Sequence, residues 1–299
     1  MPRRFALNRA APMRAASREL LLDCGEGIRL QAFDALPARP NGKVAVLLHG
    51  WEGSADSYYV LSLGQALFDA GVQVVRLNLR DHGETHHLNR EIFHSCRLEE
   101  VCGAVAAIGA QHANQALWLV GFSLGGNFML RVAASKDPRL GPLAGVIAVS
   151  PVLHPDSAML AMERGWQVYQ RYFVHKWSRS LRRKQSLWPG DLHLDDIFRF
   201  GDLRRMTAAL VAQHTSFPGM PEYLDGYAIT GARLDTLAAP ATILCAEDDP
   251  IIPASDLAHL AMHPQLKVAR QRRGGHMGFF TSPLAPSWID DFVRREIGV

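Results

Sequence analysis

The chain has 299 residues, 48% of them hydrophobic, enough to bury one large α/β core or two small ones. A formal net charge of +3 is too slight to point to nucleic acid, and no apolar run reaches membrane-spanning length. The four cysteines, at positions 24, 96, 102 and 245, form neither a CxxC pair nor an even framework, so a reduced cytoplasm is the expected location.

Residues 1–18 hold five arginines and no acid. A targeting peptide has this look, but a secretory one needs an apolar stretch that is missing here, so a basic flexible tail is expected. Glu19–Cys24 and Ile28–Asp34 read as a hairpin across Gly25-Glu26-Gly27. Val44–Leu48 is continuously apolar, as suits a strand covered on both faces. It runs into His49-Gly50-Trp51-Glu52-Gly53-Ser54. Asp56–Ala70 reads as a helix and Val72–Leu77 as the next buried strand, followed by a loop at Arg80-Asp81-His82-Gly83. His82, His86, His87 and His94 invite a metal reading, but no carboxylate or cysteine completes a ligand spacing; a solvated loop at the mouth of a site is expected instead. Ser95–His112 carries Leu98, Val101, Val105 and Ile108 at helical spacing.

The most informative stretch comes next. Ala116–Val120 is an apolar strand, Gly121-Phe122-Ser123-Leu124-Gly125-Gly126 breaks it, and a helical pattern follows through Leu130, Val132 and Ala133. Gly-x-Ser-x-Gly between strand and helix is the pattern of a nucleophile elbow. The turn is too tight for a Cβ two places before or after the serine, and the serine hydroxyl is held above the sheet. A phosphate-binding loop is the rival reading, but no Lys-Ser/Thr follows the glycines and the dinucleotide spacing is missing. Beside an elbow, the loop after Val44–Leu48 can aim a backbone N–H at the same spot. Trp51 and Leu124 are the expected N–H donors of an oxyanion hole.

Leu143–Ser150 reads as a further strand. Strands alternating with helices imply a mostly parallel sheet with helices on both faces, whose ligands gather beyond the C-terminal strand ends. Residues 151–235 interrupt this pattern and are rich in Trp, Tyr, Phe and Arg. They are expected to form a mainly helical cap inserted in a core of residues 19–150 and 236–299, with the aromatics packing the cap or shaping a pocket. The basic run Arg179–Lys184 reads as a solvated helix face, with anionic head groups or a membrane surface as the alternative.

The alternation returns with a strand at Ala241–Ala246, followed by Glu247-Asp248-Asp249-Pro250-Ile251-Ile252-Pro253. An acid here suits the third member of a triad; Asp249 has the better register and Asp248 is the runner-up. Pro253–Met262 reads as a helix, Leu266–Arg270 as the last strand, and Pro283–Ile297 as a closing helix with Trp288, Ile289, Phe292 and Val293 on one face. Between them, Gly274-Gly275-His276-Met277-Gly278 places a histidine among glycines, where a general base can approach closely. The order Ser123, Asp249, His276 is the one this class of sheet enzyme uses.

Five pieces together resemble the α/β-hydrolase superfamily, and within it the YheT/ABHD-like (AB-hydrolase-4) esterase family. They are His49-Gly-Trp-Glu-Gly-Ser54 with Tyr58-Tyr59, Arg90-x-x-x-His94-Ser95, Gly121-Phe-Ser-Leu-Gly-Gly-Asn127, Ala246-Glu-Asp-Asp-Pro250 and Gly274-Gly-His-Met-Gly-Phe279. The resemblance implies a serine hydrolase of carboxylic esters with Ser123, Asp249 and His276 as catalytic residues. Asn78-Leu79-Arg80-Asp81-His82-Gly83 departs from the family's Asn-x-Arg-Gly-x-x-Gly, and the cap follows the family only at Asp195-Asp196 and Tyr223. The expected substrate is a small-molecule ester, with short- to medium-chain or lipid-like acyl groups, and no metal or organic cofactor is required. An acyltransferase or thioesterase would use the same residues, as would a non-catalytic binding module that kept the fold. Epoxide or haloalkane hydrolysis would want an aspartate at position 123.

Overall fold

The structure, a computed structural model, describes residues 8–279 and 287–299. In chain order the strands are β1 (Ser17–Asp23), β2 (Arg29–Ala35), β3 (Lys43–Leu48), β4 (Gln73–Leu77), β5 (Ala116–Phe122), β6 (Gly145–Val149), β7 (Ala241–Ala246) and β8 (Leu266–Gln271). They form one 8-stranded sheet in the order β1-β2-β4-β3-β5-β6-β7-β8, antiparallel only where β2 meets β1 and β4. This is the mostly parallel sheet that the alternation of strands and helices implies.

Helices α1 (Ala11–Ala15), α2 (Tyr58–Asp69), α3 (Leu98–Gln111), α4 (Leu124–Ala134) and α9 (Trp288–Ile297) belong to the body. Between β6 and β7 the chain adds α5 (Pro155–Arg164), α6 (Gln167–Leu187), α7 (Leu203–His214) and α8 (Met220–Asp225). The two faces of β3 show why a continuous apolar run suits this position. Val44, Val46 and Leu48 join a core with Val101, Val105 and Ile108 of α3 and Phe128 of α4. Ala45 and Leu47 point the other way, into Val60 and Leu61 of α2 and Phe292 and Val293 of α9. Successive side chains alternate between faces, so a strand buried on both must be apolar at every position. Each fully buried Val or Leu contributes about 1.5–3 kcal/mol.

Register sets the site. Leu48 pairs with Gly121, Gly121 with Ala148, Val149 with Leu244, and Ala246 with Gln271. The loops after β3, β5, β7 and β8 therefore all leave the sheet at one edge.

Two expectations need correction. Residues 11–18 are not a loose tail: α1 seats Met13, fully buried, against α2, and the chain enters β1 at Ser17. The sequence holds the reason at Gly64, where an added Cβ would come within 2.8 Å of the Met13 sulfur. Met13 N–H also donates to Gln65 Oε1 at 3.0 Å. Residues 1–7 lie outside the described residues. The segment expected as a helix at 253–262 is a single 3₁₀ stretch, Ala254–His259, with Pro253 as its N-cap. For the closing helix, the described part begins at Ser287, whose hydroxyl accepts from Ile289 N–H; residues 283–286 of the expected span lie outside the described residues.

Candidate active site

The turn from β5 into α4 is as tight as its glycines imply. A Cβ at Gly121 would stand 2.3 Å from the Gly125 carbonyl oxygen. A Cβ at Gly125 would stand 2.4 Å from the carbonyl oxygens of both Leu48 and His49. The second glycine is therefore demanded by the end of β3, not by the first glycine. Ser123 sits at the apex with φ 52 and ψ −118, and its N–H donates to Val149 O at 2.9 Å. Left-handed backbone at a non-glycine residue costs on the order of 1–3 kcal/mol. It recurs along this edge, at Glu52 after β3, Asp81 after β4, Ser123 after β5 and Ser150 after β6. Strain is thus gathered where the loops meet.

Three residues far apart in sequence come together at the apex. His276 Nε2 lies 2.9 Å from Ser123 Oγ. His276 Nδ1 lies 2.9 Å from Asp249 Oδ2 and 3.2 Å from Oδ1. The Asp249 side chain is 2% exposed and that of His276 13%. Asp249 Oδ1 also accepts from Ile251 N–H at 2.9 Å and Ile252 N–H at 3.0 Å, so the turn after β7 orients the carboxylate. Asp248 points elsewhere: its Oδ1 accepts from Gly274 N–H and Gly275 N–H, both at 2.8 Å. The two aspartates divide the work, one on the imidazole ring and one on the backbone that carries it.

Trp51 and Leu124 both border the same cavity as Ser123 and His276. Among the described residues, no protein acceptor takes either N–H. A Cβ at Gly50 would lie 3.1 Å from Ser123 Cβ, which shows how closely the β3 loop passes the serine. That loop is held from below by Tyr59, whose hydroxyl accepts from Gly50 N–H at 3.1 Å. From above it is held by α6: Trp51 stacks on Phe173 and meets Trp177 edge-on, both at 5.3 Å, and Lys176 Nζ donates to Glu52 O.

The cavity has a volume of about 1140 Å³ and is walled by the strand-end loops together with α5, α6 and α7. Its lining mixes aromatic rings, among them Tyr58, Tyr169 and Tyr227, with Glu52, Lys176 and Arg179. Burial pushes the Glu52 carboxyl up to about 7, against the pull of Lys176.

Two histidines of the β4 loop, His82 and His86, are held by the protein and are not solvated as expected, whereas His87 is exposed and His94 half-buried. His82 and His86 are buried; His82 Nδ1 meets Arg80 O at 2.7 Å and His86 Nε2 meets Ser180 Oγ at 2.8 Å. Burial drives them down to about 4 and about 3 respectively, so both are neutral rings. Among the described residues, no three His, Cys, Asp or Glu side chains gather as metal ligands.

Part of the basic run Arg179–Lys184 also differs from a solvated face. Lys184 is buried and donates to Asp81 Oδ1 at 2.8 Å and to the carbonyls of His86 and Asn89. Burial pushes Asp81 up and Lys184 down, while each holds the other toward its charged form. Asp81 stands where the resembled family has glycine, and its φ is 58. Its carboxylate offsets the strain: besides Lys184 it accepts Phe93 N–H at 2.8 Å. The roles of Lys176 and Lys184 were invisible in the sequence, where nothing ties α6 to loops about a hundred residues earlier.

The model of the alpha/beta hydrolase fold matches residues 44–283. The chain belongs to the α/β-hydrolase fold family. The Escherichia coli (strain K12) protein YheT, named provisionally as an esterase, is 28% identical over 285 residues, 89% of this chain and 82% of that one. Abhydrolase domain-containing protein 2 of Drosophila melanogaster is 24% identical over 304 residues, 92% of this chain and 74% of that one. These are members of the group that the five motif pieces resemble. Among solved structures, the Pyrococcus furiosus esterase Pf2001 is similar with a TM-score of 0.61 at 12% identity, covering 94% of this chain and 89% of that one. Est1E from Butyrivibrio proteoclasticus, solved with ferulic acid, has a TM-score of 0.60 at 16% identity, covering 94% of this chain and all of that one. At these identities the structural likeness speaks for the fold.

Proposed function

We propose that this α/β-hydrolase cleaves carboxylic esters through an acyl-enzyme, with Ser123 as nucleophile, His276 as general base and acid, and Asp249 as the acid that orients it. The observation that carries the reading is the bond of His276 Nε2 to Ser123 Oγ, 2.9 Å, with Nδ1 on Asp249. A carboxylate only accepts, so Nδ1 donates to Asp249 and leaves Nε2 to accept the serine proton. Oγ attacks the ester carbonyl as its proton passes to Nε2. The Trp51 and Leu124 N–H groups, free of protein acceptors among the described residues, stabilise the oxyanion; one such donor is typically worth about 10²–10³ in rate. His276 then returns the proton to the leaving alcohol, and water repeats the sequence to release the acid. The esterase name of YheT agrees with this chemistry.

In this reading residues 151–235 act as a cap that walls the cavity and excludes water, and its aromatic lining suits a small ester with an apolar acyl or alcohol part. Four free cysteines fit a reducing compartment such as the cytoplasm. The test is Ser123→Ala. It should abolish hydrolysis of p-nitrophenyl esters and labelling by a fluorophosphonate probe while leaving thermal unfolding unchanged. Retained turnover would remove Ser123 from the mechanism, and an unlabelled wild-type protein would favour a binding module. Products formed with competing acceptor alcohols or thiols separate hydrolysis from acyl transfer.

A further inference from the structure

Helix α6 leaves an uncovered end. Trp166, just before it, is 77% exposed, Val168 61% and Tyr172 54%. Arg171, His175, Arg179 and Arg182 are exposed as well. Positions 168, 171, 172, 175, 179 and 182 follow the three-and-four spacing of a single helical stripe. The opposite side of the helix is buried through Trp177 and Leu181. The outward stripe is therefore apolar and aromatic toward its N-terminal end and basic along its length.

Its charge is one-sided. From Arg164 to Gly190 the chain has no Asp or Glu. The preceding acid, Glu163, is taken by Arg204 at 2.6 Å. Arg183 is paired with Glu84, Lys184 with Asp81, and Arg182 lies over the Phe198 ring. Arg164, Arg171 and Arg179 form no ion pair among the described residues. Finally, Trp166, Val168 and Tyr172 also line the cavity that holds Ser123 and His276. The apolar end of the stripe is thus the rim of the cavity.

We propose that Trp166 and the first turns of α6 form a docking face for an anionic phospholipid surface, with Trp166, Val168 and Tyr172 entering the interface and Arg164, Arg171 and Arg179 meeting the head groups. Aromatic side chains favour the boundary between head groups and acyl chains, and arginines keep their charge in water while their stems cover apolar surface. No helix among the described residues is long and apolar enough to cross a membrane, so the contact is peripheral. A neutral protein surface would satisfy the aromatic end but leave the cations without a partner. An anionic lipid surface satisfies both. Docked this way, the cavity mouth faces the lipid and a sparingly soluble ester enters without crossing water.

The experiment is co-sedimentation of the full chain, carrying Ser123→Ala, with vesicles of phosphatidylcholine alone or with about 30% phosphatidylglycerol. Because the serine is absent, the outcome is independent of the ester chemistry proposed above. Binding is expected to the anionic vesicles only and to weaken as salt is raised. Each cation at such a surface contributes about fivefold, so Arg164→Gln with Arg171→Gln should weaken binding by about 25-fold. Trp166→Ser with Tyr172→Ser should reduce it further, with the thermal transition unchanged since these positions are exposed. As a measurement that needs no loss-of-binding variant, brominated lipid should quench a tryptophan signal that Trp166→Phe removes. Equal binding to neutral vesicles, no binding to anionic ones, or binding indifferent to both double substitutions would overturn the proposal. So would self-association in sedimentation velocity that the same substitutions abolish, which would assign the face to a second copy of the chain.

Discussion

Asp249→Asn and Asp248→Asn make the most discriminating pair, because the two side chains are neighbours with different partners. Asp249 accepts the His276 Nδ1 proton at 2.9 Å in a nearly closed environment. An amide in its place can turn its NH₂ toward the ring and stabilise the tautomer with Nδ1 bare and Nε2 protonated, which cannot take the Ser123 proton. The equivalent exchange in a serine protease triad lowers kcat about 10⁴-fold with the geometry intact. That is roughly 5.5 kcal/mol of barrier. Asp248, by contrast, holds Gly274 and Gly275 N–H groups through Oδ1, and these bonds are exposed. Asparagine keeps an acceptor oxygen there and loses only the charge assistance, about 1 kcal/mol per bond before solvent screening. Asp248→Asn should therefore cost tenfold or less in kcat/KM. The assay is steady-state hydrolysis of a short-chain p-nitrophenyl ester, with circular dichroism to check the fold. A larger loss from Asp248→Asn than from Asp249→Asn would refute the assignment of the acid.

Two further predictions concern stability. Lys184→Met leaves Asp81 buried without its cation and should destabilise the protein by about 3–5 kcal/mol in urea unfolding; adding Asp81→Asn should recover much of this, since an unpaired buried charge is the cause. The Asp290 carboxyl is buried against Ser62 and pushed up by burial to about 6. A carboxyl raised in the folded state favours folding below its unfolded pKa, and that advantage is lost as pH rises through 6. Asp290→Asn, which still accepts from Ser62, should remove this part of the pH dependence. The variant should gain up to roughly 3 kcal/mol on wild type between pH 4 and pH 8, measured by unfolding at both; a parallel profile for the two proteins would sink the argument.

What was legible in the sequence was whatever local sterics or periodicity dictate. Val44–Leu48 reads as a doubly covered strand because it is apolar at every position, and Gly121 and Gly125 read as a turn with no space for Cβ. Register alone favours Asp249 over Asp248, and it is Asp249 whose carboxylate meets the ring of His276, while Asp248 meets the backbone of Gly274. The N-terminal helix is hidden in the sequence because five arginines dominate the composition of residues 1–18, while the residue that makes room for Met13 is a single glycine at 64, remote in sequence. The burial of His82 and His86 in the β4 loop is hidden for a similar reason. His86 meets Ser180 of α6 and His82 packs against His49 and Phe93, and no pattern in residues 82–94 announces these contacts.

The same remoteness explains the part played by α6. Its first turns face outward beside the cavity rim. Its middle grips the β3 loop through Phe173, Lys176 and Trp177, at the residue proposed to supply an oxyanion N–H. Its last turns anchor the β4 loop through Lys184 and Asp81. A rigid helix joins these points without a joint, so displacing its outer end would act as a lever on Trp51 as well as on the rim. The buried Lys184–Asp81 pair resists that displacement, because sliding the helix would separate two charges in a dry interior. The Lys184–Asp81 pair therefore fixes the far end of the helix whose near end borders the cavity.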